Sequence, residues 1–371
     1  MKKKEVIEGV LPAVLLCLGL LTGCTGGVEP SNVPEPSPET VETEPAVTPI
    51  PREEPLAISD RGMLKAELVS AVEELRQPRV MDISAAGLEQ PELDGKNVYY
   101  EIIAESPGMK YAYDLTVEVR GTEMVCRFSY MPYKTGDFPA GFSGEEAASI
   151  GELLAVAEEH LGETEATVRI TDPAQEPDKM NRALQQVGGG YILCSLNVDG
   201  TALQYSPPAG MSLEEGMAAL EAADALADQV VEQTVTPEMS QREAAEALYA
   251  YLTVNVAYDQ RYDSDRTAMP YESQTAVGAL RDHTAICGGY ANALKLLYEK
   301  AGIPCYTVTG KYFQENHMWN IAQLDGRWFW FDATTDRGST GEFGFLRFAL
   351  GELDGVKYQY REEDILALTE P

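Results

Sequence analysis

The apolar positions of the chain fall into three regimes. Residues 10–21 form an apolar run broken only at Pro12 and preceded by Lys2, Lys3 and Lys4. The run is shorter than the ~20 residues that a membrane-spanning helix needs. Residues 25–58 then carry almost no large apolar side chain and are rich in Pro, Glu, Thr and Val, as in Val33-Pro34-Glu35-Pro36-Ser37-Pro38-Glu39. Proline stiffness and glutamate repulsion predict a disordered tether over residues 24–58. Beyond it, helical and strand periodicities take over.

Two of these patterned stretches look alike. Glu67-Leu68-Val69-Ser70-Ala71-Val72-Glu73-Glu74-Leu75 has apolar residues at helical spacing, and Glu152-Leu153-Leu154-Ala155-Val156-Ala157-Glu158-Glu159 repeats the pattern. Each is followed by a short strand, around residues 80–83 and 168–171, then by a helix, around 93–104 and 178–186. Each block closes on a hairpin, at Val119-Arg120-Gly121-Thr122 and Val198-Asp199-Gly200-Thr201, where glycine supplies the positive φ of a two-residue turn. The pattern suggests an α-β-α-β-β unit used twice in a mixed α/β accessory domain over residues 59–208. Helix-favouring, alanine-rich composition then predicts a long helix over 212–231, leading into a C-terminal domain over 209–371.

In that C-terminal part, Tyr290, Ala293, Leu294, Leu297 and Ala301 share one helical face, stopped by Gly302 and Pro304. Cys287 therefore stands at a helix N-terminus, where free backbone N–H groups and the macrodipole favour a thiolate. Gly288 and Gly289 beside it are expected to leave room for a substrate carbonyl, and the Cys287 N–H to help stabilise an oxyanion. Strand-like runs follow over 305–309, 317–324 and 327–332, the last two joined by the hairpin dipeptide Asp325-Gly326. A two-residue turn pairs Leu324 with Arg327 and sets Trp319 opposite Asp332. His317, two residues from Trp319, is then a diagonal neighbour of Asp332 on the same face, while Asn320 points the other way. Thiol, imidazole and carboxylate are the three parts of activated-nucleophile catalysis.

Charge narrows the classes of partner. The 371 residues include 28 Lys+Arg against 60 Asp+Glu, a net charge of −32, with no long basic run. A nucleic-acid partner is thereby disfavoured, since phosphates need a basic stripe. A hydrophobic content of 44% and 19 tyrosines supply real cores. No residue cluster has zinc or calcium spacing, and no cofactor is expected.

Two resemblances follow from these motifs. Leu21-Thr22-Gly23-Cys24, after the charged and apolar leader, resembles the lipobox of bacterial lipoproteins. It implies a signal peptide over residues 1–23, lipidation at Cys24, and a chain anchored at the extracytoplasmic face of the cell membrane. Cys287-Gly288-Gly289-Tyr290-Ala291, Gly302-Ile303-Pro304-Cys305, His317-Met318-Trp319-Asn320, Gly326-Arg327-Trp328 and Asp332-Ala333-Thr334 resemble the core of the bacterial transglutaminase-like superfamily. The resemblance spans roughly residues 240–336, with Asn255-Val256-Ala257-Tyr258-Asp259 as its lead-in. It implies an α+β, papain-like fold with Cys287 as nucleophile, His317 as general base and then acid, and Asp332 as the orienting residue. Met318 and Ala333-Thr334-Thr335 depart from the residues usual at those places.

The implied activity is that of a surface-tethered thiol enzyme acting on a protein, peptide or cell-wall peptide through a thioacyl intermediate, hydrolysis being favoured over transfer to an amine. The alternative is an inactive binding or scaffolding lipoprotein on the same fold. Gln274 and Tyr271 are the candidate side-chain oxyanion donors. Cys305 reads as a core residue, His283 as a surface-loop residue and His160 as a favourable charge at a helix C-terminus. Trp319, Trp328 and Trp330 read as core packing ahead of a substrate platform. Cys126 and Cys194 lie in corresponding hairpin regions, compatible with either a disulfide or two buried thiols.

Overall fold

The computed structural model describes residues 54–338, 348–349, 353 and 355–369, with only the backbone of 348–349. The leader, the Cys24 motif and the proline-rich segment up to residue 53 lie outside the described residues. Residues 54–58, expected to belong to the tether, are among the described residues. Leu56-Ala57-Ile58 is a short apolar run; its first two residues form strand β1 (Leu56–Ala57) and Ile58 is fully buried.

From there the chain runs through α1 (Arg61–Glu73), β2 (Arg79–Asp82), α2 (Pro91–Glu105), β3 (Ala112–Arg120) and β4 (Glu123–Tyr130), giving a sheet of order β1-β2-β4-β3. A single turn, α3 (Pro132–Thr135), leads to the same series again: β5 (Glu145–Ala147), α4 (Ile150–Glu159), β6 (Glu165–Ile170), α5 (Pro177–Ala183), β7 (Leu193–Leu196) and β8 (Ala202–Ser206), in the order β5-β6-β8-β7. In both sheets the first strand is parallel to the second and the other pairings are antiparallel. The α-β-α-β-β duplication is therefore a duplication of topology, with a short strand added in front of each copy. Strands of two and three residues are too short to show alternation.

Local chemistry explains the element ends. Asp60 and Ser149 cap α1 and α4 by accepting from Met63 N–H and Glu152 N–H, and Pro91 and Pro177 open α2 and α5. The β3–β4 turn is the expected two-residue turn, with Arg120 paired to Glu123 and Gly121 at φ +65°. The β7–β8 connection is wider. There the Asn197 side-chain oxygen accepts from Thr201 N–H (2.9 Å) and Ala202 N–H (3.1 Å), holding an Asx-type loop over residues 197–201 in place of a two-residue turn. Cys126 and Cys194 are free thiols buried in the separate cores of the two sheets.

The long helix α6 (Leu213–Thr234) and α7 (Gln241–Asn255) both start on capping boxes, Ser212 with Glu215 and Ser240 with Glu243. The chain continues through β9 (Ala257–Tyr258), α8 (Arg261–Ser264), α9 (Ala276–Leu280), β10 (Thr284–Ala285) and α10 (Cys287–Lys300). Then come β11 (Cys305–Tyr312), β12 (Glu315–Leu324), β13 (Arg327–Phe331), β14 (Phe348–Ala349), β15 (Tyr358–Gln359) and α11 (Glu362–Thr369). The last five strands make an antiparallel sheet of order β14-β13-β12-β11-β15. Ala322, Leu324 and Phe331 pack with Tyr290, Leu294 and Leu297 of α10, whereas Trp319, Ile321 and Trp330 join Tyr358 and Ile365 in a second core. Helices segregated against an antiparallel sheet make this part α+β.

One buried side chain joins the second repeat to this sheet. Gln186 donates to Thr307 C=O (2.8 Å) and accepts from Thr307 N–H (2.8 Å), so it completes the main-chain bonding of β11 where, among the described residues, no strand lies alongside. Gln186→Ala leaves both Thr307 groups buried without their partner. Chemical denaturation is expected to show a loss of about 2–3 kcal/mol.

Candidate functional site

Cys287 is the first residue of α10, after Ile286 in extended conformation (φ −98°, ψ −177°). The approach to it is fixed from two sides. β10 pairs with β9 through Thr284–Ala257 and Ala285–Tyr258, and Ile286 N–H donates to Ser273 C=O at 2.8 Å. Ser273 O–H in turn donates to Asp259 (2.6 Å), a buried carboxylate that also pairs with Arg261 at 2.8 Å. The Arg261 hydrogen bonds outweigh burial and, with Ser273, hold the Asp259 carboxyl down at about 2, so it stays ionised across the physiological range.

Gly288 and Gly289 serve this packing, which corrects the expectation that they leave room for substrate. Both are buried, and a Cβ on Gly289 would lie 2.6 Å from Ser273 O and 2.7 Å from Ala285 Cβ. The missing side chains let the helix start lie against its own chain.

His317 and Asp332 come from the following hairpin. Asp325 (φ +51°) and Gly326 (φ +75°) form its turn, and the pairing runs from Leu324–Arg327 to Asn320–Phe331. This is the register read from Asp325-Gly326. His317 Nε2 lies 2.8 Å from Asp332 Oδ2, with both side chains 9% exposed, while Asn320 turns away and donates to Ala291 C=O. The Trp319 ring stacks on the imidazole at 5.8 Å. Burial pulls the imidazole towards neutrality, but hydrogen bonds to Asp332 and to Cys287, with their charges, outweigh it and raise His317 to about 9. With Nε2 on the carboxylate, Nδ1 is the ring nitrogen left for the sulfur.

Removing the charge of Asp332 reverses the balance. In Asp332→Asn the imidazole keeps its desolvation and loses the carboxylate that favours its protonated form. The His317 titration, followed by NMR of the ring, is expected to move to lower pH by about one unit or more.

Cys287 and His317 line an open cleft of about 670 Å³ together with Tyr258, Tyr262, Tyr312 and Arg337. Neither candidate oxyanion side chain reaches it. Tyr271 O–H donates to Gly190 C=O, and the exposed Gln274 lies outside the lining, its carbonyl accepting from Asn292. Trp319 and Trp330 are buried in the core and Trp328 stacks on Tyr306, so none offers a platform in the cleft. Cys305 is buried, and burial pushes its thiol well up. His283 sits exposed in the bend before β10. His160 ends α4, and ion pairs with Glu163 (2.9 Å) and Glu145 (2.5 Å) raise it to about 9. Among the described residues no group of three His, Cys, Asp or Glu is arranged to hold a metal ion, and no helix is long and apolar enough to cross a membrane.

Sequence reasoning missed Tyr358, whose hydroxyl donates to the same Asp332 oxygen at 2.8 Å. It also missed Arg337, which lies 4.7 Å over the Tyr258 ring at the cleft wall. Neither sits in a recognisable motif.

Residues 225–333 match the family model described as Transglutaminase-like superfamily. This region is similar to a transglutaminase-like core. The chain is 27% identical over 123 residues to the kyphoscoliosis peptidase of Mus musculus, covering 29% of this chain and 18% of that protein. It is 25% identical over 135 residues to the kyphoscoliosis peptidase of Homo sapiens, covering 32% and 20% respectively. The chain thus spans about a fifth of the length of these curated relatives. Among solved structures it is similar to one described as a TGase, with 17% identity, a TM-score of 0.30 and coverage of 43% of this chain and 49% of that one. It is also similar to the periplasmic domain of TgpA from Pseudomonas aeruginosa bound to ethylmercury, with 16% identity, a TM-score of 0.25 and coverage of 38% and 62%. The matched region begins within α6 and ends just after Asp332, so Tyr358 lies beyond it.

Proposed function

We propose that the chain is a thiol-dependent peptidase or amidase. Cys287 Sγ, its proton already held by His317, attacks an amide carbonyl. The tetrahedral intermediate collapses with cleavage of the C–N bond, and His317 gives the proton to the departing amine. Water, deprotonated by His317, then cleaves the thioester and restores the thiol. Asp332 holds the imidazole in position through Nε2. The Cys287 N–H, at the first helical position and without an intrahelical partner, is available to the oxyanion.

One observation carries this reading: His317, hydrogen-bonded to Asp332, lines one open cleft together with Cys287. The curated relatives named as peptidases support the same class of chemistry. Hydrolysis is the preferred outcome because Asp263, Ser264, Asp265 and Arg266 along the cleft are exposed, giving water access to a thioacyl group. The reading includes a peptide or cell-wall peptide substrate outside the cytoplasm, reached from a lipid anchor on Cys24.

The test is incubation with a mixture of peptides and cell-wall fragments, with and without a primary amine, followed by product analysis. Amine-independent cleavage that is lost in Cys287→Ala is the expected result. Incorporation of the amine would assign a transglutaminase instead. No product of either kind would leave a scaffold.

A further inference from the structure

We propose that Tyr358, carried by a C-terminal strap outside the transglutaminase-like core, is a positioning residue that holds the Asp332 carboxylate against His317. The proposal rests on the acyl-transfer reading of the site. The strap is docked at both ends. β15 pairs with β11 through Lys311–Gln359 and Tyr312–Tyr358, and Phe313 N–H donates to Lys357 C=O at 2.9 Å. Gly310 makes this possible, since a Cβ there would run into Gln359 O. Beyond it, Arg182 Nε–H is shared between the two carboxylate oxygens of Asp364 in α11, at 2.8 and 2.9 Å, and Ile365 enters the core that holds Trp319 and Trp330.

Tyr358 is thereby set in place before it meets the carboxylate. Its ring lies 5.2 Å from that of Trp319 and 4.8 Å from that of Tyr312. Its hydroxyl donates to Asp332 Oδ2, the oxygen that also faces His317 Nε2, while Thr335 N–H donates to Oδ1 at 3.2 Å. Burial, with the charge of Asp332 adding to it, raises the phenol, so it keeps its proton and acts towards Asp332 as a donor. The carboxylate is thus fixed at both oxygens, and part of its charge is taken up by a group other than the imidazole.

Tyr358→Phe keeps the ring and removes the donor. The Asp332 charge then falls more fully on His317. The imidazole titration, read by ring NMR in a chain with three histidines, is expected to move to higher pH by about half a unit or more. Turnover of an activated ester is expected to fall about tenfold. Tyr360→Phe removes a hydroxyl from the same strap, at a ring packed on Trp330, and is expected to change neither. A His317 titration that is unmoved in Tyr358→Phe overturns the proposal, whatever happens to stability or rate, because a purely structural tyrosine would leave it unmoved. Failure of the acyl-transfer reading is separately visible: the wild-type chain would then form no acyl product, whereas the titration shift requires no turnover.

Discussion

In His317→Ala, alkylation of Cys287 by iodoacetamide near neutral pH is expected to slow by about 10²–10⁴-fold, the range attributed to a positioned acid or base. The thiolate is the reacting species. On the proposed reading the imidazole, backed by Asp332, takes the thiol proton and remains as a neighbouring cation, His317 being raised to about 9. Alanine removes both effects and leaves the helix N-terminus alone to favour the anion. The experiment is clean because the other described thiols are buried. Burial raises Cys126 and Cys194 to about 12 and Cys305 well above its ordinary value. Mass spectrometry of the digested protein reads the rate at Cys287. Slow labelling that is equal in the two proteins would return the chain to the scaffold reading.

Gly289→Ala is expected to destabilise the folded chain by about 1–3 kcal/mol or more, the cost of inserting a methyl where the packing cannot yield. The added Cβ would lie 2.6 Å from Ser273 O, 2.7 Å from Ala285 Cβ and 3.0 Å from Thr275 O. Two of these are main-chain oxygens in the segment held by Asp259, and Ser273 O already accepts from Ile286 N–H. Relief therefore means moving the start of α10, and Cys287 with it. Thermal denaturation is expected to show a Tm lowered by several degrees, accompanied by slower alkylation of Cys287. Gly288→Ala is a graded comparison: its Cβ would meet Gln274 O at 3.1 Å with nothing else inside 3.4 Å, and a smaller loss is expected.

The parts of the site that could be read from sequence are those set by local rules. Asp325-Gly326 fixes a two-residue turn, the turn fixes register, and register sets His317 beside Asp332 and turns Asn320 away. Helical periodicity with Gly302-Pro304 as its stop sets Cys287 at the start of α10. The helices of the two repeats were legible for the same reason. Long-range packing was not. The strand at Leu56–Ala57 exists only through β2, and its composition merges with the proline-rich stretch before it. Asp199-Gly200 looks like a tight turn until Asn197 captures two backbone N–H groups. Gly288 and Gly289 suggest space beside a nucleophile, whereas the segment around Ser273 fills it. Tyr358 reaches Asp332 from a two-residue strand with no periodicity to announce it.

The most direct test of the account is to trap the bond it requires. The chain is mixed with an activated acyl ester, quenched in acid and weighed intact, and the adduct is mapped by digestion. The account predicts a gain of one acyl group on Cys287, removed by hydroxylamine as a thioester and absent from His317→Ala at the same time point. An acyl group on any other residue, or equal acylation of Cys287 in the two proteins, would contradict it.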